Sequence, residues 1–294
     1  MIHALSSLRR AAILLVAIVA FGATSASAAD YANPDLLTST ETLGLMLEDP
    51  NVRVVDVRPR EAYDAGHIPG AIHLSADDII DPVSHVDGDL LPLSELAAML
   101  GERGIGPETR VVFYDDRGGF HASRLFWLLE YLGHRQVSVL NGGFPAWERE
   151  GWSVSQEAPT VEPTVFPINL TPRRAASADW LMERRDDPSV VVIDVRPTPM
   201  FEEGHIPWAR NIPWAQNLNE DGIMRSAEDL LAHFAAHGVT PDDNIAVHCQ
   251  NGKASAHSYL TLRLLGFQQV RSYDRSWAEW GHAYDLPTAS STDG

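Results

Sequence analysis

Short apolar runs alternate with amphipathic stretches along most of this chain. Residues 244–247 are a short apolar run with β-branched side chains, which predicts a buried strand. Residues 255–265 carry apolar side chains at helical spacing and stop before Gly266, which predicts a helix that ends at a glycine. The residues between these two segments are therefore expected to form a strand-to-helix turn.

The same alternation extends through the rest of the sequence. Residues 38–47 predict a helix whose capping box is Thr38 and Glu41, and residues 226–237 predict another helix that ends before Gly238. Strands that alternate with helices indicate a parallel sheet covered by helices on both faces. The predicted fold class is therefore α/β, and ligands are expected at the carboxyl ends of the strands.

The chain contains two copies of one pattern. Residues 54–59 (VVDVRP) recur as residues 192–197 (VIDVRP), and residues 66–69 (GHIP) recur as residues 204–207. Both pairs are displaced by the same 138 positions, from 56 to 194 and from 66 to 204. A repeat of this length corresponds to a whole domain rather than to a solenoid unit.

The boundaries of the two domains follow from the segment between them. Four prolines without sustained periodicity indicate an extended linker at residues 156–174. The first domain is then expected at residues 29–155 and the second at residues 175–294.

The first 28 residues have the layout of a secretory signal peptide. Arg9 and Arg10 precede an apolar run at residues 11–24 that is short for a bilayer span, and residues 26–28 (Ala-Ser-Ala) follow. We expect cleavage after Ala28, export to the bacterial periplasm, and no membrane segment in the mature chain. Sec export is favoured over the twin-arginine route, because the residues after the arginine pair match that signal weakly.

The charge of the chain excludes one class of partner. The formal charge is -18, and removal of the two arginines of the signal peptide changes it to -20. A strongly acidic chain without a basic stripe is not expected to bind nucleic acid. An apolar fraction of 45% is sufficient for ordinary globular cores.

Cys249 is the single cysteine of the sequence and falls at the predicted turn between strand and helix. Backbone N–H groups of such a turn point inward, and the helix N-terminus carries partial positive charge, so both stabilise a thiolate. Gly252 allows a tight turn, and Lys253 adds a cation. A lone cysteine is often only a small buried apolar residue, but this placement favours a catalytic thiolate.

A candidate cation for the same crevice ends another strand of the second copy. Arg196 follows the apolar run that ends at Asp194, so it is expected at the same edge of the sheet as Cys249. The alternative is a structural ion pair, because the first copy has the same arrangement at Asp56 and Arg58. The histidines show no metal-ligand spacing, so neither a metal nor a cofactor is expected.

These features together resemble the tandem-domain rhodanese family of thiosulfate and 3-mercaptopyruvate sulfurtransferases. The resemblance is carried by the paired Asp-x-Arg and Gly-His-Ile-Pro motifs, the cysteine loop of the second copy, and residues 273–281 (YDRSWAEWG). It covers nearly all of the mature chain. It implies two tandem rhodanese-like domains, each a parallel sheet flanked by helices on both faces.

The resemblance also implies a mechanism. The first domain would be catalytically inert, which agrees with Asp115 in the place of Cys249, because a carboxylate cannot form a persulfide. Cys249 would take a sulfane sulfur from a small-molecule donor and pass it to a thiol or to cyanide. The loop backbone would hold the persulfide, and cations would hold the anionic donor. The implied substrate-binding residues are Arg196, Gln250, Asn251, Gly252, Lys253, Ala254 and Ser255.

Departures from the family pattern bear on the choice of donor. Gln250 and Asn251 are neutral, Ala254 stands where an arginine or threonine is common, and Lys253 is the one cation of the loop. Mercaptopyruvate-type members carry a second arginine shortly after Asp-x-Arg, where this chain has Met200. The sequence therefore favours thiosulfate over 3-mercaptopyruvate.

Two other functions match parts of the pattern. A cysteine-dependent phosphatase related to this fold needs an arginine six positions after the cysteine, and the chain has Ser255 there, which argues against that activity. A non-catalytic exported sulfur carrier or interaction module stays open, with protein partners that the sequence does not identify. Turnover with a small acceptor separates an enzyme from a carrier.

Overall fold

Apolar runs of the two copies form the strands of two parallel sheets. The computed structural model describes residues 31–291, and the predicted signal peptide, residues 1–28, lies outside them. The strands of the first sheet are β1 (Leu37–Thr38), β2 (Val52–Asp56), β3 (Ile72–His73), β4 (Arg110–Tyr114) and β5 (Val137–Leu140). Those of the second sheet are β6 (Ala175–Ala176), β7 (Val190–Asp194), β8 (Arg210–Asn211), β9 (Asn244–His248) and β10 (Val270–Tyr273).

Both sheets have the same topology. The strand order is β1-β5-β4-β2-β3 in the first and β6-β10-β9-β7-β8 in the second, and each neighbouring pair is parallel. The second order is the first with every strand replaced by its counterpart in the later copy. We therefore call residues 31–155 the first repeat and residues 175–291 the second repeat.

Helices connect the strands of each repeat. The first repeat contains α1 (Thr40–Met46), α2 (Arg60–Ala65), α3 (Leu93–Glu102), α4 (Ala122–Leu132) and α5 (Gly143–Arg149). The second repeat contains α6 (Ala178–Glu183), α7 (Thr198–Glu203), α8 (Ala227–Ala236), α9 (Lys253–Leu264) and α10 (Ser276–Trp280). Among residues 31–291, no helix combines the length and the apolar character needed to cross a bilayer.

Helices cover both faces of each sheet, as the sequence predicts. Successive strand residues point to opposite faces, so Val55 joins the apolar cluster that holds Leu125 of α4, whereas Val54 joins another cluster with Trp147 of α5. In the second repeat, Val192 likewise belongs to a separate cluster from Ile193. Burial on both faces explains why the central strands are nearly continuous apolar runs.

The core is continuous from one repeat to the other. Phe126 of α4 and Tyr259 of α9 belong to the same apolar cluster, and their ring centroids lie 6.5 Å apart. Glu130 of α4 accepts a hydrogen bond from the Tyr259 hydroxyl at 2.6 Å and forms an ion pair with Arg263. The packing of α4 against α9 therefore fixes the two repeats against each other.

One predicted helix differs from the observed helix at its start. The predicted helix at residues 38–47 is α1, and its N-cap is Ser39, whose hydroxyl accepts the N–H of Thr42 at 3.1 Å. Thr38 ends β1 and pairs with Leu140, so it is extended and not available as a cap. The predicted capping box at Thr38 is therefore wrong.

The proline-rich segment between the repeats runs along the first repeat. Residues 156–171 form no helix or strand. The N–H of Thr164 donates to the carbonyl of Gly101, and the N–H of Asn169 donates to that of Leu132, both at 2.9 Å. The predicted linker is thus extended chain that is anchored by backbone hydrogen bonds.

Candidate active site

Cys249 directly follows β9 and precedes α9, as the sequence predicts. Gly252 caps the helix in the left-handed region (φ 86°), a conformation that glycine adopts without strain. The turn bends the chain back over the cysteine, which is 2% exposed. The thiol therefore sits at the N-terminus of a 12-residue helix, in its positive field.

Polar groups surround the sulfur atom. The N–H of Gly252 points at Sγ at 3.2 Å, and the hydroxyl oxygens of Ser255 and Ser276 lie 3.7 and 3.9 Å from it. Ser255 is fully buried and is also bonded to the hydroxyl of Ser272 at 3.1 Å. The Gly252 N–H favours a charged sulfur, because a hydrogen bond to the ionised form stabilises it.

The first residues of α10 clamp the cysteine turn. The N–H of Cys249 donates to Oγ of Ser276 at 3.0 Å, and the N–H groups of Trp277 and Ala278 donate to the carbonyls of Cys249 and Gln250. Ser276 has a positive φ of 50°, the one such non-glycine residue in the described part of the chain. Backbone strain of this kind concentrates at functional sites, where surrounding contacts maintain it.

The equivalent turn of the first repeat holds an aspartate. Asp115 follows β4, and its carboxylate accepts hydrogen bonds from four backbone N–H groups of its own loop. The donors are Arg117, Gly119, His121 and Ala122, at 2.6 to 3.0 Å. The side chain of Asp115 thus occupies the position in which a bound anion would meet these donors. This turn has no nucleophilic sulfur and its N–H groups are already satisfied.

The cysteine turn faces the first repeat. The amide of Asn251 donates to the Asp87 carboxylate at 2.8 Å, and the ammonium of Lys253 donates to Asp77 at 2.6 Å. The side chain of Lys253 is 20% exposed, whereas that of Asp77 is 77% exposed. The predicted donor-binding cation therefore lies at the turn but is paired with a carboxylate of the other repeat.

Arg196 forms the structural ion pair that was the alternative to substrate binding. Its guanidinium contacts the Asp194 carboxylate at 2.6 to 3.0 Å, donates to the carbonyl of Gly204 at 2.6 Å, and stacks on Trp277. Arg58 in the first repeat has the same contacts with Asp56 and Gly66. Because the first repeat, which has Asp115 in place of the cysteine, keeps this arrangement, it is a feature of the fold. The expected role of Arg196 in holding the donor is not favoured by this geometry.

The remaining predicted residues contribute mainly through their backbone. The carbonyl of Gln250 accepts a hydrogen bond from the N–H of Ala278. Ala254 and Ser255 are buried in the first turn of α9. Gly252 supplies the N–H that points at the sulfur. Gln250 and Asn251 are half-buried.

His248, directly before the cysteine, is fully buried. Burial lowers the pKa of His248, and the Asp194 carboxylate, 3.6 Å from Nε2, opposes this shift in part. The imidazole is therefore neutral at neutral pH. Within residues 31–291, no group of three or more His, Cys, Asp or Glu side chains is arranged to hold a metal ion.

Several residues at the turn were not identified from the sequence. Asp77, Asp87 and Arg124 belong to the first repeat and are far from Cys249 along the chain. Ser276 lies in residues 273–281, which the sequence marked only as a family likeness. The hydrogen bond from the N–H of Cys249 to the hydroxyl of Ser276 could not be predicted from the sequence, because the two residues are 27 positions apart.

A known domain family matches both repeats. The rhodanese-like domain matches residues 39–150 and residues 177–283. The two matched segments contain the two parallel sheets, apart from the first strand of each.

Relatives named for sulfur transfer match over most of the chain. The sequence is 34% identical to the sulfur carrier protein TtuD of Thermus thermophilus, covering 90% of this chain and 99% of that protein. It is 31% identical to a thiosulfate sulfurtransferase of Pseudomonas aeruginosa, covering 87% and 98%. The crystal structure of SseA from Escherichia coli, a 3-mercaptopyruvate sulfotransferase with the rhodanese fold, superposes on this chain with a TM-score of 0.76. The two sequences are 27% identical, and the match covers 83% of this chain and 99% of SseA.

Proposed function

The chain belongs to the rhodanese family of sulfurtransferases, and from this premise we propose that Cys249 carries a sulfane sulfur, as a persulfide, from thiosulfate to cyanide or a thiol. The observation that carries the proposal is the N–H of Gly252 aimed at Sγ at 3.2 Å, at the start of a 12-residue helix. The corresponding turn of the first repeat has Asp115 in its place. Only the second repeat therefore offers a sulfur nucleophile among the described residues.

The first step is a displacement at sulfur. The Cys249 thiolate attacks the outer sulfur of thiosulfate, the S–S bond to the sulfonate sulfur breaks, and its electron pair leaves with sulfite. The enzyme then holds Cys–S–S⁻, and the total charge of minus three is the same before and after. The helix N-terminus and the Gly252 N–H stabilise the negative charge on the sulfur.

The second step returns the free thiolate. Cyanide attacks the terminal sulfur, the persulfide S–S bond breaks, and its electron pair returns to Sγ as thiocyanate leaves. A thiolate acceptor would take the same sulfur as its own persulfide. The two displacements divide one transfer between two substrates that need not be bound together.

Thiosulfate is the proposed donor because of the cations at the turn. Lys253 lies there with an ammonium that can meet a sulfonate, whereas a paired arginine clamp for a carboxylate is missing from the sequence after Arg196. The relative from Pseudomonas aeruginosa is named a thiosulfate sulfurtransferase, which supports this choice. 3-Mercaptopyruvate, the substrate class of the Escherichia coli structure, is the alternative donor.

Intact mass measurement tests the covalent step. After treatment with thiosulfate, we expect the wild-type protein to gain one sulfur atom, and cyanide should remove it with release of thiocyanate. Cys249→Ser should gain no sulfur and form no thiocyanate, because the oxygen of serine does not carry the sulfur.

The matched control is Asp115→Asn in the inert repeat. It removes the charge and keeps an oxygen acceptor for two of the four N–H groups, and sulfur transfer at Cys249 should stay at the wild-type level. Transfer by Cys249→Ser at the wild-type rate would refute the persulfide mechanism. Running 3-mercaptopyruvate beside thiosulfate identifies the preferred donor by kcat/KM.

A sulfur-carrier function is the second candidate, supported by the relative named sulfur carrier protein TtuD. A carrier forms the same persulfide but delivers it to a protein instead of a small acceptor. We expect multiple turnovers with cyanide for an enzyme. A single turnover followed by a stable persulfide would favour the carrier.

We also propose that the protein is exported to the periplasm. The order of Arg9-Arg10, an apolar run and Ala26-Ser27-Ala28 supports this proposal. N-terminal sequencing of protein from the periplasm of the native host should begin at about Ala29. Recovery of the intact N-terminus, Met1, in the cytoplasm would contradict it.

A further inference from the structure

A buried arginine of the first repeat lies against the cysteine turn of the second. Arg124 is on α4, and its side chain is fully buried. Its Nη2 donates to the carbonyl of Gly88 at 2.7 Å and to the Asp274 carboxylate at 3.1 Å, with which the guanidinium forms an ion pair. Asp274 follows β10 in the second repeat, so this ion pair joins the two repeats.

The guanidinium is in contact with the backbone that holds the sulfur. A methyl group placed on the α-carbon of Gly252 would lie 1.9 Å from Nη1 of Arg124 and 2.6 Å from Cζ. The N–H of the same glycine points at Sγ of Cys249 at 3.2 Å. One residue of the turn thus touches the cation on one side and the nucleophile on the other.

The charge of Arg124 is balanced incompletely by its surroundings. Its Nε is buried and has no hydrogen-bond partner, and Asp274 is the single carboxylate that contacts the guanidinium in the described residues. Burial lowers the pKa of Arg124 to about 10, and the negative charge of Cys249 opposes this shift. Arg124 and a thiolate at Cys249 would stabilise each other, because both side chains are buried and opposite charges attract more strongly there than in water.

We propose that Arg124 is a positioning residue for sulfur transfer, which keeps the Gly252 N–H on the sulfur and adds positive charge beneath the thiolate and the persulfide. The inert repeat is then part of the active site. This proposal rests on the proposed function, because it assigns Arg124 to the reaction of Cys249. A purely structural ion pair between the repeats is the competing explanation.

The test measures how readily the thiol ionises. We expect Arg124→Met to raise the midpoint of the pH dependence of Cys249 alkylation by iodoacetamide by about one pH unit. At pH 7, kcat for thiocyanate formation should fall about tenfold or more, with a smaller change in KM for thiosulfate, and should recover partly at higher pH. Arg124→Lys keeps the charge and should keep the midpoint near that of the wild type.

The matched control is Arg263→Met. Arg263 also forms a partly buried ion pair between the repeats, with Glu130, but on the helix surface away from the turn. It should lower the melting temperature and leave the alkylation midpoint unchanged. The other titratable groups close to the turn are the same in all these variants. They are Asp77, Asp87, Asp89, His121, Asp194, His248, Lys253 and Asp274.

The proposal is overturned if Arg124→Met lowers the melting temperature as Arg263→Met does and leaves the alkylation midpoint and kcat unchanged. If Arg124→Met does not fold, Asp274→Asn replaces it, because it removes the carboxylate that neutralises Arg124. That variant should lower the midpoint, and an unchanged or raised midpoint would contradict the proposed charge balance. Alkylation does not require sulfur transfer, so the change in its midpoint tests the role of Arg124 independently of whether Cys249 forms a persulfide.

Discussion

At the scale of single residues, binding of the proposed anionic donor depends on the cation Lys253 at the cysteine turn. The protein has a formal charge of -18, so its overall field repels an anionic donor. Lys253 provides a local cation, but Asp77 pairs with it at 2.6 Å. Donor binding must therefore compete with an ion pair that is already formed.

Removal of that competition should improve donor binding. We expect Asp77→Asn to lower KM for thiosulfate about threefold to tenfold, because the ammonium of Lys253 becomes free to meet the anion. Lys253→Ala should have the opposite effect and raise KM about tenfold. Steady-state kinetics with thiosulfate and cyanide, at constant ionic strength, measure both effects.

Asp87→Asn separates the specific pair from the general field. Asp87 accepts a hydrogen bond from the amide of Asn251 and does not pair with Lys253. Asp87→Asn nevertheless changes the net charge of the protein by one unit, as Asp77→Asn does. A decrease in KM of equal size in Asp77→Asn and Asp87→Asn would show that the overall field matters and the Lys253 pair does not.

At the scale of elements, the site consists of the strand β9, the cysteine turn and the helix α9, and the first residues of α10 hold the turn in place. The turn needs glycine at position 252 for two reasons. The backbone is left-handed there, and Arg124 leaves no room for a side chain. The clamp from Ser276 fixes the other end of the turn through the N–H of Cys249.

Gly252→Ala should therefore be more damaging than an ordinary glycine substitution. The left-handed backbone costs alanine about 1 kcal/mol, and the methyl group would overlap both Nη1 of Arg124 and the carbonyl oxygen of Asp274, so the buried Arg124 side chain or the turn must move. We expect a loss of about 3 kcal/mol or more in the free energy of unfolding and a decrease of about a hundredfold in kcat/KM. Denaturant unfolding and thiocyanate formation provide the two measurements.

Gly70→Ala is the control for backbone strain alone. Gly70 has a similar φ of 76°, but a methyl group there would meet no atom within 4 Å. It should cost about 1 kcal/mol and leave activity unchanged. Similar losses in the two alanine variants would mean that contact with Arg124 does not matter.

At the scale of the whole molecule, the two repeats form one unit with a buried polar interface. His257 on α9 is fully buried and donates from Nε2 to the carbonyl of Gly118 in the first repeat at 3.1 Å. Burial lowers the pKa of His257 to about 4. Asn217 lies 3.4 Å from Nδ1, the nitrogen that would gain a proton.

This interface should weaken in acid. The pKa of His257 is below its ordinary value of about 6.5. Between about pH 6.5 and pH 4 the imidazole is therefore protonated in the unfolded state and neutral in the folded state. The stabilisation is fully present above about pH 6.5 and is lost as the pH falls toward 4. We expect His257 to account for about 3 kcal/mol of the decrease in unfolding free energy over this range.

His257→Gln tests the assignment, because glutamine can donate to Gly118 but does not titrate. Urea unfolding at several pH values between 7 and 4.5 should show a smaller decrease in stability for this variant than for the wild type. Parallel stability curves for the two proteins would assign the acid sensitivity to other groups.

The sequence by itself determined the class of fold, the duplication and the position of Cys249 at a strand-to-helix turn. These features follow from local rules. Strand and helix periodicities are set by backbone geometry, and glycines mark where the backbone must turn, so β9, α9 and the turn at Cys249 could be predicted from adjacent residues. The exact helix starts were less secure, because Ser39 and Thr38 are equally good caps by composition and only the pairing of Thr38 in β1 decided between them.

The tertiary structure alone decided which charges surround the thiol. Arg196 looked like a ligand for the donor because it ends a strand beside Cys249, but the fold pairs it with Asp194. Arg124 gave no signal, because its partner Asp274 is 150 positions away, and Lys253 meets Asp77 across 176 positions. The packing of α4 against α9 brings such distant residues together, and burial of Arg124 requires an opposite charge nearby. No local pattern in the chain records that choice.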